Sequence, residues 1–286
     1  MPKHRKILLV AGIALVASLG LLLYFVITKS QTRQFRVTFL DIGQGDATLI
    51  EFGNGKKMLV DCGKDRKILA RLGTVLPFYD RTIDYVLATH PDLDHYGGCV
   101  DVLKNYTVKE IITNGNAKEY DPYWQEWDRA MKNEGAVIKI IDRPEVWVVA
   151  SSTLEFLSPD PSLDLKVPAD DSNNRSIVFR LKNGDSSFLF TADMEMPLEA
   201  ALLNKYCLST STFSCPALEA HTLKVGHHGS DTSSGDDFLK AVQSKEAIIS
   251  VGKNTYGHPS LRVMRKLERA QMEILRTDML GDIIRY

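Results

Sequence analysis

Four side chains able to ligate a metal fall within six residues in the segment Thr89-His90-Pro91-Asp92-Leu93-Asp94-His95-Tyr96-Gly97-Gly98. The segment follows the apolar run DYVLA, and at a strand end the chain is free to turn these groups toward one point. Imidazole with carboxylate is the donor set expected for zinc, manganese or iron at a hydrolytic centre. The bland alternative is a solvated acidic turn whose histidines are incidental. The distribution of the seven histidines weighs against it: five sit in three short polar clusters, His90 with His95, His227 with His228, and His258. No GxSxG or P-loop pattern occurs, so serine nucleophiles and triphosphate loops have no support.

The elements that must position these groups are legible as alternating apolar runs and helix-like stretches. RVTFLDI, ATLIEF and KMLVDC read as strands, the last two joined at Gly53-Asn54-Gly55, a hairpin signal. A helix follows from Arg66 to Leu76, then the strand DYVLATH, a helix opening near Gly97, VKEIITN, a helix from Pro122 to Asn133, and AVIKII. WVVA, TLEFLS, SIVFRL and SFLFTAD continue the strands, followed by a helix from Pro197, LKVGHH, a helix from Asp236, AIISVG, a helix from Ser260 and two closing strands. Strands and helices mix throughout, which predicts a layered α/β sandwich. Trp124 and Trp127, three apart, could stack on a base or sugar, but at helical spacing they read better as core.

Ile7 to Ile27 is a run of 21 residues without a charged side chain, long enough to cross a bilayer as a helix. The rival reading is a cleaved signal peptide. Such peptides have a shorter apolar core and a small-x-small site, whereas this run continues through Leu21-Leu22-Leu23-Tyr24-Phe25-Val26 into Thr28-Lys29. Lys3, Arg5 and Lys6 favour a cytoplasmic N-terminus, with Lys29, Arg33 and Arg36 as a counterweight on the far side. The expected layout is a basic cytoplasmic N-terminus (1–6), a transmembrane signal anchor (7–28), a linker (29–35) and one extracytoplasmic domain (36–286), a single-pass protein of the cell membrane. Without residues 1–34, which hold five basic and no acidic side chains, 30 basic groups face 36 acidic ones, a net charge of −6. That balance argues against gripping long nucleic acid by counterion release and leaves room for local phosphate contacts. Cys207 and Cys215 flank CLSTSTFSC and are either a disulfide of an outward-facing domain or two thiols. Cys62 and Cys99 read as buried small residues rather than ligands.

HPDLDHYGG resembles the HxHxDH signature of the metallo-β-lactamase superfamily, with aspartate at the second histidine position. FLDIGQGDATLIEF with MLVDCG, NNRSIVFRL, FLFTADME, LKVGHHGSDTS, AIISVGKNTYGHPS and LRTDMLGDI follow in an order that resembles the hydrolase domain of the ComEC competence DNA-uptake family, over Arg36 to Tyr286. The resemblance implies a metallo-β-lactamase αββα sandwich behind the single N-terminal helix. It implies two divalent ions, zinc or manganese: His90 and Asp92 on one, Asp94 and His95 on the second, Asp193 bridging, and His227 or His228 completing the second site. Adjacent strand residues point to opposite faces, so one of that pair ligates unless the strand ends between them. Asn173-Asn174-Arg175-Ser176 stands where most members carry a histidine, which takes an imidazole from the first site, leaves full occupancy open and favours a harder ion such as manganese.

The same resemblance makes Asp61 a group that orients a ligating histidine, against a plain turn cap before Gly63, and turns His258 toward the site as a phosphate or proton contact. Gln44-Gly45-Asp46 lies near the site or serves a tight strand bend. Asn174, Lys253 and Asn254 are candidates for substrate contact, and Lys224 a weaker one. The implied activity is metal-assisted hydrolysis of a phosphodiester at the cell surface, with DNA as the first substrate to consider. Two readings stand beside it: an esterase for surface-polymer phosphodiesters of the phosphorylcholine type, and a non-catalytic binding module that keeps the fold. Asp92 and the absent third histidine depart from the β-lactamase pattern.

Overall fold

In the computed structural model, which describes residues 12–23, 34–168, 170–207 and 214–286, the apolar runs pair into two sheets of seven described strands each. The first sheet contains β1 (Arg36–Phe39), β2 (Thr48–Glu51), β3 (Lys57–Val60), β4 (Thr82–Ala88), β5 (Thr107–Thr113), β6 (Val137–Ile140) and β14 (Ile283–Arg285), in the order β14-β1-β2-β3-β4-β5-β6. The second contains β7 (Glu145–Val149), β8 (Ser152–Ser158), β9 (Val178–Asn183), β10 (Ser186–Phe190), β11 (Thr222–Lys224), β12 (Glu246–Ile249) and β13 (Glu273–Arg276), ordered β13-β12-β11-β10-β9-β8-β7. Each sheet is antiparallel in its hairpin half and parallel in the other: β3, β4, β5 and β6 run together, as do β10, β11, β12 and β13.

Parallel strands need crossovers, and the helices supply them on the outer faces. Residues 12–23 form helix α1. Helices α2 (Lys67–Val75), α3 (Leu93–Tyr96), α4 (Cys99–Asn105) and α5 (Pro122–Glu134) accompany the first sheet, and α6 (Met196–Tyr206), α7 (Asp236–Val242), α8 (Leu261–Arg269) and α9 (Thr277–Leu280) the second. Three buried clusters follow from this layering. One lies between the first sheet and α2, α4 and α5, one between the second sheet and α6, α7 and α8, and the third between the sheets. In the middle layer Phe179 stacks on Phe190 at 4.6 Å and lies 5.5 Å from Phe156, and Phe190 stacks on Phe39 across the sheets at 5.9 Å. This is the αββα sandwich expected.

Local chemistry accounts for the helix ends. Asp121 accepts from the Tyr123 amide, Pro122 fits the first turn, and Gly135 closes α5 at φ 74°. Trp124 and Trp127 are buried against Tyr96 at ring separations of 5.0 and 6.3 Å, so both belong to the core. Ser260 caps α8 through the Val263 amide.

The structure differs from expectation at the helix after β4, at the end of β11 and at the first cysteine pair. The helix expected to open near Gly97 begins at Cys99, behind the separate turn α3. The strand expected to run through LKVGHH ends at Lys224. Cys62 and Cys99 are buried but joined as a disulfide, which ties the end of β3 to the start of α4; a pairing across 37 residues has no local signature. Cys207 and Cys215 are also joined. Of the anchor expected over 7–28, residues 7–11 and 24–28 lie outside the described residues, as do 1–6 and 29–33. Among the described residues no helix is long and apolar enough to cross a membrane.

Candidate metal centre

The C-terminal ends of β3, β4, β10, β11 and β12 open on one edge of the sandwich, and each delivers a polar side chain there. β4 ends in Thr89-His90, α3 then presents Asp94 and His95 within one turn, β10 leads to Asp193, and β11 leads into the turn Gly226–Gly229 that carries His227 and His228. Both of these histidines have left-handed backbones, φ 48° and 52°. The alternation of a strand therefore does not apply, and both imidazoles reach the centre. Gly45 has φ 125°, and a Cβ there would meet the Asp94 carbonyl at 2.4 Å, so the bend before β2 closes directly onto α3.

Asp193 lies in the middle. Its Oδ1 is 3.2 Å from His95 Nε2, and its Oδ2 is 3.9 Å from His90 Nε2 and 3.7 Å from the Nε2 atoms of His227 and His228. His228 Nε2 is also 3.3 Å from Asp94 Oδ2. Two groups of donor atoms, His90 with His95 and Asp193, and Asp94 with His95 and His228, each lie within 4.8 Å of one another. Asp92 stands at the rim, 3.9 Å from His90 Nε2 and ion-paired to Lys118 at 2.6 Å.

Each imidazole is held by its other nitrogen. His228 Nδ1 is 2.9 Å from the Ser250 carbonyl, which can only accept, so Nδ1 carries the hydrogen and Nε2 faces Asp94 and Asp193. His95 Nδ1 is bonded to Asp61 Oδ2 at 2.8 Å. Thr89 gives its hydroxyl to the same oxygen, which leaves a lone pair for His90 Nδ1 at 3.0 Å. His227 Nδ1 lies 3.0 Å from Glu195 Oε1. Consequently His90 Nε2, His95 Nε2, His228 Nε2 and Asp193 Oδ1 are buried without a hydrogen-bond partner. Buried polar atoms left unpaired are costly, and convergent nitrogens and carboxylate oxygens with fixed tautomers are what a divalent cation requires. The residues present fit the metal.

Burial opposes charge on these groups, and the opposite charges around them outweigh it at most positions. Asp193 and Asp61 hold the His95 imidazole well above its usual range, and Asp193 with Asp46 pushes His228 up to about 10. His95 and His228 hold Asp193 well below the usual carboxylate range. Lys224 and His228 hold Asp46 down at about 2. His90 goes the other way, lowered by burial and by the neighbouring His95. A divalent cation can take the place of the imidazole protons in this cluster.

A cavity of about 590 Å³ opens over the centre, lined by Asp92, Asp94, Asp193, His227 and His228 on its floor and by Gln44, Lys64, Lys253, Asn254, Tyr256 and His258 on its walls. His258 sits 5.3 Å from the His227 ring with Nδ1 unpartnered, and its pKa is lowered by burial and by His227 and His228. Asp61, at φ 56° and 1% exposed, accepts from the Thr89 amide as well as from His95, which is the orienting position expected.

Two expected substrate contacts are scaffold instead. Asn174 is buried, with its Oδ1 accepting from the Glu195 and Leu198 amides at the start of α6 and its Nδ2 bonded to Asp171. Asn254 borders the cavity, but its side chain is spent on the Tyr256, Gly257 and His258 amides and the Gly252 and His258 carbonyls. Lys253 does line the cavity, whereas Lys224 is buried on Asp46 at 2.7 Å. Sequence reasoning missed Glu195, Lys64 and Tyr256. It also left Asp46 out of the centre, although Gln44-Gly45-Asp46 marked the bend: Asp46 Oδ1 is 3.2 Å from His228 Nδ1.

A family model described as the Metallo-beta-lactamase superfamily matches residues 40–253. Among curated proteins, ComE operon protein 3 of Bacillus subtilis (strain 168) is 35% identical over 205 residues, 71% of this chain and 24% of that protein. Recombination protein 2 of Haemophilus influenzae is 30% identical over 253 residues, 87% of this chain and 28% of that protein. The chain thus spans about a quarter of the length of the curated relatives it matches. Among solved structures, CmlA, a diiron beta-hydroxylase from Streptomyces venezuelae, is similar over 88% of this chain and 54% of its own, with a TM-score of 0.55 and 15% identity. A diphosphatase from the PhnP family is similar over 87% of this chain and 97% of its own, with a TM-score of 0.51 and 12% identity. At those identities the likeness is one of fold.

Proposed function

Because the chain belongs to the metallo-beta-lactamase superfamily, we propose that it is a metal-dependent hydrolase of phosphodiesters, with DNA as the first substrate to test. The observation that carries the reading is the set of buried, unpartnered Nε2 atoms of His90, His95 and His228, converging with Asp193 beneath an open cavity. His90, Asp92, Asp94, His95, Asp193 and His228 would hold two divalent ions, which supply Lewis acidity and a nucleophile at neutral pH. Around them the protein's own groups do the rest. Lys64 and Lys253 on the cavity wall balance the charge of a phosphodiester. His258, facing the same space, is placed to exchange a proton with the leaving oxygen. Asp61 and Asp46 fix the imidazoles that must not turn. The similarity to Recombination protein 2 of Haemophilus influenzae supports nucleic acid as the substrate class.

The same reading puts the domain outside the cytoplasm on a membrane anchor. Its support is the pair of disulfides, which persist in oxidising compartments, and the charge-free run Ile7–Ile27.

The test is metal analysis of the purified full-length chain together with hydrolysis of bis-p-nitrophenyl phosphate and of DNA, with added zinc or manganese. Two ions per chain, and cleavage abolished by Asp94→Ala, is the expected result. A metal-loaded chain that spares both substrates but releases choline from phosphorylcholine esters would shift the assignment to surface polymers. A chain that holds no metal would leave only a binding module.

A further inference from the structure

His227 and His228 are neighbours in sequence, yet each is tied by its Nδ1 to a different part of the fold. His228 is anchored to Ser250 and Asp46, and its Nε2 faces Asp94. His227 is anchored to Glu195, and its Nε2 faces Asp193 Oδ2 from the cavity side, at 3.7 Å. That oxygen is also 3.9 Å from His90 Nε2, which in turn is 3.9 Å from Asp92 Oδ2. Donors bonded at about 2.1 Å to one tetrahedral ion stand roughly 3.4 Å apart. Each consecutive pair in the run His227, Asp193, His90, Asp92 is thus within about half an ångström of that spacing, although the four donor atoms do not all lie within 4.8 Å of one another and must draw in around an ion. Without His227 the His90 side would have only three of four positions filled from groups not already committed to Asp94.

The surroundings of Glu195 match those of an orienting carboxylate. Its Oε1 accepts from the Thr232 hydroxyl at 2.7 Å and from Asn173 Nδ2 at 3.4 Å, while Asn174 Nδ2 reaches Oε2. The relation of Glu195 to His227 thus repeats that of Asp61 to His95: carboxylate on Nδ1, with Nε2 turned to Asp193.

We propose that His227, positioned by Glu195, is the fourth ligand of a first metal site made with His90, Asp92 and Asp193, while His228 belongs to the second site with Asp94 and His95. The inference rests on reading the centre as metal-binding, but not on the substrate. A hydrolytic centre built this way uses both members of a histidine pair, one on each ion, because the left-handed turn at Gly226–Gly229 frees them from strand alternation.

Cobalt(II) titration of the full-length chain, followed by visible absorption and by metal content after dialysis, tests it without reference to turnover. The wild type is expected to bind two equivalents. His227→Ala and His227→Gln should each bind one, with the other equivalent unchanged. Glu195→Gln should bind two, one of them 10–100-fold more weakly, as expected when an orienting carboxylate is lost (roughly that range). His227→Gln and Glu195→Gln keep side-chain volume and carry the test if His227→Ala does not fold. Two equivalents of unchanged affinity in the His227 variants, or a wild type that binds fewer than two, would overturn the assignment. If the His227 variants keep both ions but lose hydrolysis, His227 acts on substrate and the assignment is likewise wrong. If the metal results hold while neither bis-p-nitrophenyl phosphate nor DNA is cleaved, the ligand assignment stands and the substrate reading fails.

Discussion

Asp61 accepts from the Thr89 amide, the Thr89 hydroxyl and His95 Nδ1, so one buried carboxylate sets the orientation of His95 directly and of His90 through Thr89. Asp61→Ala is expected to weaken metal binding by roughly 10–100-fold while leaving every direct ligand in place, measured by calorimetric titration with zinc or manganese. At this scale the sequence was most informative about the donor groups that converge. His90, Asp94, His95 and Asp193 lie in short polar runs at strand ends, and such runs bear a local signature. The groups that hold the ligands were harder to read. Glu195 and Asp46 act on histidines distant in sequence, and nothing in TADME or GQGD says which histidine comes to meet them. Asn174 and Asn254 looked like groups facing substrate because an amide can bind almost anything; in the fold their hydrogen-bonding capacity is used on nearby backbone.

Helices and turns show a second layer of support. The segment Ser230–Gly235 follows the two histidines and is pinned by Glu199 of α6, whose oxygens accept from the Ser234 and Gly235 amides. Lys266 of α8 donates to the Ser234 carbonyl from the other side. Burial pushes the Glu199 carboxyl up to about 7, with the two amides and Lys266 opposing it. A carboxyl raised in the folded state binds its proton more tightly there than in the unfolded chain. Its contribution is therefore present in full below pH 4.5 and lost as pH rises through 7. Relative to Glu199→Gln, the wild type is expected to lose on the order of 3 kcal/mol between pH 4.5 and 8, read from denaturant unfolding at several pH values. Equal pH slopes for the two proteins would contradict this. Helix positions were legible where caps and periodicity agree, as at Asp121-Pro122 and Ser260. The turn after β11 was not, because two consecutive left-handed non-glycine residues are uncommon, and this pair is held by the His227 amide on the Ala192 carbonyl and by contacts of both side chains with distant parts of the chain.

For the molecule as a whole, the layer between the sheets decides whether the strand ends meet. Phe179 is fully buried there, between Phe156 and Phe190. Phe179→Ala is expected to cost about 3–5 kcal/mol, a fall in melting temperature of roughly 10 °C, with metal stoichiometry retained in the cold. A shift under about 2 °C would mean that this layer is not the main bond between the halves. By itself the sequence determined which elements form and in what order, which donor types the chain carries, and that these cluster after strands, because apolar periodicity, caps and turn residues act over a few neighbours. Tertiary structure alone decided that Cys62 bonds Cys99, that Asp46 and Glu195 face His228 and His227, and that both histidines reach Asp193. The Asp46–His228 contact, between residues 182 positions apart, depends on the two sheets packing face to face, and the others on layers closing within each half; no local pattern encodes contacts settled by burial across the domain.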